Sequence, residues 1–95
     1  MKVRAHVRVS GRVQGVYYRS YASDEARMLG VTGWIRNTME GKVEAVFEGS
    51  QEDVKQMLDW CWQGSPSSRV SDVEVEWEEP TGEFPDFSVT YGYRG

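Results

Sequence analysis

The sequence predicts an α+β fold: a mainly antiparallel sheet with two helices on one face, in the order β-α-β-β-α-β plus a short terminal strand. Apolar residues alternate with polar ones in several short runs, the period of a half-buried strand, beginning with Val3, Ala5, Val7 and Val9 against Arg4, His6, Arg8 and Ser10. Two longer stretches instead space their apolar residues as helices do, one before Gly30 and one after Ser50. The length of 95 residues is enough for one core and too short for a second lobe, so residues 1–95 are expected to form a single domain.

Each element can be justified in turn. The first strand has an apolar inner face and a basic outer one. The first helix is expected from about Arg19 to Leu29, with Ala22, Ala26 and Leu29 on one stripe, Asp24 and Glu25 early, Arg27 late and Gly30 as its stop. Thr32 to Asn37 and Lys42 to Glu48 read as the next strands, joined by a short hairpin loop from Thr38 to Gly41, with Val43, Ala45 and Phe47 turned inward. Ser50 is placed to cap the second helix ahead of Glu52 and Asp53, while Val54, Met57, Leu58 and Cys61 form its apolar stripe and Gly64 and Pro66 end it. Arg69 to Glu78 alternates again, Val73, Val75 and Trp77 against Glu74, Glu76 and Glu78. After a loop from Pro80 to Pro85, Phe87, Val89 and Tyr91 give the terminal strand its inner face. This order suits a split β-α-β sandwich of the ferredoxin-like type, with the second sheet face toward water. Many unrelated functions share that architecture.

Composition narrows the function classes. No apolar run approaches the length of a membrane span, and Met1-Lys2 leads directly into an alternating strand rather than a signal peptide. One cysteine cannot form an internal disulfide, which points to a reducing, cytoplasmic setting. The formal charge of −4 disfavours non-specific nucleic-acid binding.

The most informative stretch is Gly11-Arg12-Val13-Gln14-Gly15-Val16-Tyr17-Tyr18-Arg19, which joins a strand to a helix through glycines and ends in arginine. Glycines let backbone N–H groups turn toward a ligand, and the first N–H groups of a helix lack intrahelical partners. An oxyanion there gains from the helix dipole, and Arg19 adds a permanently charged fork of donors. Those residues alone are equally compatible with a strand-to-helix turn carrying a surface arginine. A second element, Gly33-Trp34-Ile35-Arg36-Asn37-Thr38-Met39-Glu40-Gly41-Lys42-Val43, follows at a fixed distance. Together the two stretches closely resemble the acylphosphatase family: the first matches its Gly-Arg-Val-Gln-Gly-Val-x-aromatic-Arg signature, the second its Gly-aromatic-x-x-Asn-x-x-x-Gly-x-Val pattern. The resemblance runs through nearly the whole chain and weakens after Gly64.

The resemblance implies hydrolysis of acyl phosphates to carboxylate and inorganic phosphate. Arg19 and the N–H groups of Gln14, Gly15, Val16, Tyr17 and Tyr18 would hold the phosphoryl group, and Asn37 the attacking water. Thr38 would either support the site or serve the hairpin. Neither metal nor cofactor is expected; the partners are a small-molecule acyl phosphate and phosphate itself, with no nucleic acid or membrane, and the chain is expected to be a monomer. The residues fit this chemistry independently. The motifs offer no Ser-His-Asp arrangement, no cysteine nucleophile and no metal-ligand cluster, so catalysis would rest on positioning and charge stabilisation. Without an evident general acid the leaving group must be good unprotonated, as a carboxylate is and an alkoxide is not.

The remaining reactive residues have plainer readings. Cys61 on the apolar stripe suits a buried, inert thiol, His6 a solvated strand position, and Glu74, Glu76 and Glu78 a charged edge. Trp60 and Trp62 are expected at the rim, and the Arg4, His6, Arg8 row to pair with glutamates on neighbouring strands. The chain also departs from the family: Tyr18 replaces a more usual phenylalanine and could add a hydroxyl near the site, Ser65-Pro66-Ser67-Ser68 follows the family turn only loosely, and Gly92-Tyr93-Arg94-Gly95 extends the last strand. Two other functions fit parts of the pattern. A non-catalytic phosphate sensor would keep the cradle, although Asn37 would then have no purpose. An RNA-binding module would need aromatics on the open sheet face, where the first and third strands place charged residues and a valine.

Overall fold

The chain runs through β1 (Lys2–Arg12), α1 (Tyr18–Leu29), β2 (Thr32–Asn37), β3 (Val43–Ser50), α2 (Gln51–Gln63), β4 (Arg69–Glu78) and β5 (Phe87–Thr90) in the computed structural model, which describes residues 1–91. The strands form one sheet in the order β4-β1-β3-β2-β5. β3 is antiparallel to both β1 and β2, so the parallel pair β1 and β2, linked by α1, is split by an intervening strand. β4 pairs antiparallel with β1, and β5 adds the parallel edge against β2. This is the expected ferredoxin-like α+β sandwich with one strand appended. The C-terminal extension Gly92–Gly95 lies outside the described residues.

Strand alternation and helical stripes meet in a single core. Ala5, Val7 and Val9 of β1, Ile35 of β2 and Val43, Ala45 and Phe47 of β3 face Ala22 and Ala26 of α1 and Val54, Met57 and Cys61 of α2, all buried. Phe47 and Phe87 stack at 5.7 Å across the sheet, and each large side chain buried here contributes about 1.5–3 kcal/mol. α1 packs over β2 and β5, α2 over β1, β3 and β4. Ser50 caps α2 as expected, its hydroxyl accepting the Asp53 N–H at 3.1 Å. Gly33 is required where β2 meets β3, since a Cβ there would lie 1.8 Å from the Val46 carbonyl oxygen. Among the described residues no helix is long and apolar enough to cross a membrane.

Several expectations change. α1 begins at Tyr18, which puts Asp24 and Glu25 mid-helix and leaves its first turn without an acidic residue. β4 is an edge strand at the rim of the helix layer, so Val75 and Trp77, expected inside, are exposed. Tyr91 lies past the end of β5 and is 77% exposed rather than part of an inner face.

The second sheet face is less open than the alternation suggests. Glu44 and Glu48 are buried. The segment 79–86 has to cross this face to carry the chain from the β4 edge to the β5 edge. On its way the Thr81 and Gly82 N–H groups donate to the Glu48 carboxylate at 3.2 and 2.7 Å. Phe84 lies under the Arg4 guanidinium at 5.0 Å. The basic row of β1 pairs with glutamates as expected: Arg4 with Glu78 at 3.0 Å and Glu83 at 2.8 Å, His6 with Glu44 and Glu78.

Candidate active site

Between β1 and α1 the backbone turns through two left-handed residues, Gly15 at φ 73° and Tyr17 at φ 60°. The first is free to do so. The second is a non-glycine residue held where L side chains are strained by about 1–2 kcal/mol, and sustained strain of that kind requires anchors. Two are visible. The Ser65 hydroxyl, buried just past α2, donates to the Val16 carbonyl at 2.7 Å. The Gln14 side-chain amide donates to the carbonyls of Thr38 and Lys42, both at 2.8 Å, tying the loop to the β2–β3 hairpin. Because a trans peptide directs its N–H opposite to its C=O, fixing the Val16 carbonyl toward Ser65 turns the Tyr17 N–H the other way.

Tyr17 is the N-cap of α1 and offers no side-chain cap. The first-turn N–H groups are therefore left for a ligand, with no acidic side chain in that turn to compete. They face a pocket of about 380 Å³ lined by Val13, Gly15, Tyr17, Tyr18, Arg19, Ser20, Asn37, Val89 and Tyr91. Arg19 is the one charged residue on that wall among the described residues. Its Nη1 donates to the Thr90 carbonyl at 3.3 Å, and the guanidinium sits 5.0 Å from the Tyr91 ring centroid, leaving further donors for an anion. Asn37, the last residue of β2, is brought to the same pocket from the opposite side. Its Oδ1 is buried and finds no hydrogen-bond partner among the described residues, an orphan acceptor of the sort that clusters at functional sites.

Of the residues singled out from the sequence, Gly15, Tyr17, Tyr18, Arg19 and Asn37 share this wall, whereas Gln14, Val16 and Thr38 stand beside it. The Thr38 hydroxyl accepts from the Lys42 N–H at 3.1 Å, inside the hairpin. The Tyr18 hydroxyl does not reach the site: it points into the core and donates to the Cys61 carbonyl at 2.8 Å, and burial drives its pKa far above the usual phenol range. Burial likewise pushes the Cys61 thiol up to about 12. A larger hollow of about 440 Å³ lies on the other sheet face among Trp34, Arg36 and Phe84. It is a poorer anion site, because Arg36 is already neutralised by Glu44, which accepts from its Nε at 2.9 Å and also from its Nη2.

A cradle of this shape with an asparagine opposite it can be compared with known proteins. The family model described as Acylphosphatase matches residues 5–89. The chain belongs to the acylphosphatase family. The acylphosphatase of Pelotomaculum thermopropionicum is 57% identical over 90 residues, spanning 95% of this chain and 98% of that protein. That of Syntrophobacter fumaroxidans is 52% identical over 94 residues, spanning 99% and 97%. Among solved structures, the acylphosphatase from Bacillus subtilis superposes with a TM-score of 0.90 at 31% identity, covering 94% of this chain and 99% of its own. This acylphosphatase-family chain is thus an enzyme of that type, acting on a small-molecule acyl phosphate. Tyr91, on the pocket wall, and Ser65, which anchors the loop from behind, were not singled out as site residues from the sequence. Tyr91 was assigned to the core by its parity with Phe87 and Val89, and that same parity places it on the helix side, where the pocket opens. Ser65 had no signal beyond its place in the turn after α2.

Proposed function

We propose that this enzyme hydrolyses the carboxyl–phosphate bond by positioning and charge stabilisation, with no metal or cofactor taking part. Arg19 and the N–H groups of the 14–18 loop hold the phosphoryl oxygens, and Asn37 holds water in line with the leaving group. The water oxygen forms the new bond to phosphorus as the bond from phosphorus to the acyl oxygen breaks. Carboxylate and inorganic phosphate result, and the water's protons pass to the phosphate or the departing carboxylate late in the reaction. An amide is too weak a base to take one beforehand. Its task is to accept from the water, the kind of donor that the buried Asn37 Oδ1 lacks among the described residues.

The observation that supports this reading is the convergence, among the described residues, of an uncapped helix N-terminus, one arginine and an unpaired amide oxygen on a single pocket whose wall carries no carboxylate. Such preorganised donors act mainly on charge developing in the transition state. The same reading takes residues 1–95 as one domain working as a monomer in the cytoplasm without nucleic-acid or membrane partners; the charge of −4 and the single buried cysteine support it.

The test is benzoyl phosphate hydrolysis with a strong chelator present, comparing the wild type with Asn37→Ala. Rapid chelator-insensitive turnover, reduced about 100-fold or more in the variant while phosphate inhibition persists, is expected. Near-normal turnover in Asn37→Ala would remove that residue from the mechanism. A folded wild type that binds phosphate but hydrolyses nothing would leave a sensor.

A further inference from the structure

The outer face of β1 and β4 carries a second group of side chains that the hydrolytic site does not use. His6 stands directly across from Glu76, with Glu78 two residues further along the same face. One ligand atom from each of the three lies within 4.8 Å of the others. His6 Nδ1 and Glu78 Oε2 are 3.2 Å apart, close to the ~3.3 Å separating neighbouring donors around a tetrahedral ion bound at about 2.0–2.1 Å.

What surrounds these atoms matters as much as their spacing. His6 Nε2 lies 2.5 Å from Glu44 Oε2, and Glu44 is itself buried and gripped by Arg36. A metal-binding histidine ordinarily donates its second ring N–H to a carboxylate, which fixes the tautomer and turns the other nitrogen's lone pair toward the ion. Glu44 is placed for that role, leaving Nδ1 toward Glu76 and Glu78. The other oxygen of Glu78 faces the Arg4 guanidinium, 3.0 Å away, so Oε2 is the one left to coordinate. A hollow of about 270 Å³, with His6 and Glu76 on its wall, opens beside the group and has room for water to complete the coordination.

We propose that His6, Glu76 and Glu78 form a binding site for a divalent first-row transition cation, with Zn²⁺ as the ion best suited to one nitrogen and two oxygen donors. The bound ion ties the edge strand β4 to β1, across the sheet from the phosphoryl cradle. It acts on the stability of that edge and not on hydrolysis.

Calorimetric titration of the full chain with Zn²⁺, at neutral pH in a non-coordinating buffer, tests this beside thermal melts and hydrolysis assays. One ion per wild-type chain, a raised Tm and unchanged turnover are expected. Glu76→Gln, an exposed position that leaves the core intact, should weaken binding about 10-fold or more, and His6→Gln should abolish it. Should His6→Gln fail to fold, Glu78→Gln takes its place and must weaken binding comparably. Absence of saturable binding at millimolar Zn²⁺, or wild-type affinity in Glu76→Gln, would overturn the proposal.

Discussion

Ser65→Ala removes a single hydroxyl from a position 3% exposed and should be felt in two separate measurements. The hydroxyl donates to the Val16 carbonyl at 2.7 Å. Val16 is 5% exposed, so its carbonyl would lose that donor with little access to water in exchange. An acceptor stranded in this way costs about 1–3 kcal/mol, and each kcal/mol lowers the Tm of a domain this size by about 4–8 °C. A fall of at least ~4 °C is therefore expected. The second effect follows from geometry. With the Val16 carbonyl released, the Val16–Tyr17 peptide can rotate and relieve the left-handed strain at Tyr17, whose φ is 60°. Its N–H then no longer faces the pocket. Inhibition by inorganic phosphate, assayed against benzoyl phosphate hydrolysis, should weaken about 10-fold, equivalent to ~1.4 kcal/mol. A lowered Tm with an unchanged inhibition constant would show that Ser65 merely fills space and does not orient the cradle. If neither quantity moved, the hydrogen bond itself would be of no consequence.

The other predictions address charge and reactivity. Arg19→Ala should weaken phosphate inhibition by about 10- to 100-fold, the value of a charge-assisted contact of about 1.5–3 kcal/mol, and should lower turnover as well; equal inhibition of both proteins would dismiss Arg19 as the phosphate ligand. Burial pushes the Glu44 carboxyl upward, but hydrogen bonds from His6 and Arg36 outweigh it and hold the group below its ordinary value of 4.5. A depressed carboxylate lends stability that is present above the ordinary value and lost as pH falls through the lowered one. The Tm gap between wild type and Glu44→Gln should therefore be widest near neutrality and close as acid is added below 4.5; a constant gap across that range would refute the assignment. Cys61, buried with its thiol raised to about 12, should resist iodoacetamide in the native protein and react on unfolding, as judged by mass spectrometry, whereas alkylation at native pH without loss of structure would contradict its burial.

The parts of this molecule that were legible in the sequence are those whose physics is local. Alternation in β1 and the apolar stripe through Val54, Met57 and Cys61 predicted faces correctly because strand and helix periods belong to consecutive residues. The cradle could be read because its glycines, uncapped turn and arginine lie within nine positions. Asn37 owed its assignment to a pattern shared with a family, since nothing local says that the end of β2 meets the start of α1. Failures came where burial depends on distant chain. Trp77 alternates like a core residue but sits on an edge strand. Glu44 and Glu48 alternate like surface residues, yet Arg36 and the 79–86 crossing enclose them. The Tyr18 hydroxyl could have pointed either way until α2 supplied the Cys61 carbonyl.

The 79–86 crossing also ties the site to the far end of the chain. The cradle and Asn37 come from the first 37 residues, but the carbonyl that steadies Arg19 belongs to Thr90, 71 positions further on. Contacts of such long separation form slowly, because the loop they close must lose its entropy first. Recovery of hydrolysis during refolding is therefore expected no sooner than the docking of the terminal strand, and a chain ending before Phe87 would lack the support that steadies its arginine.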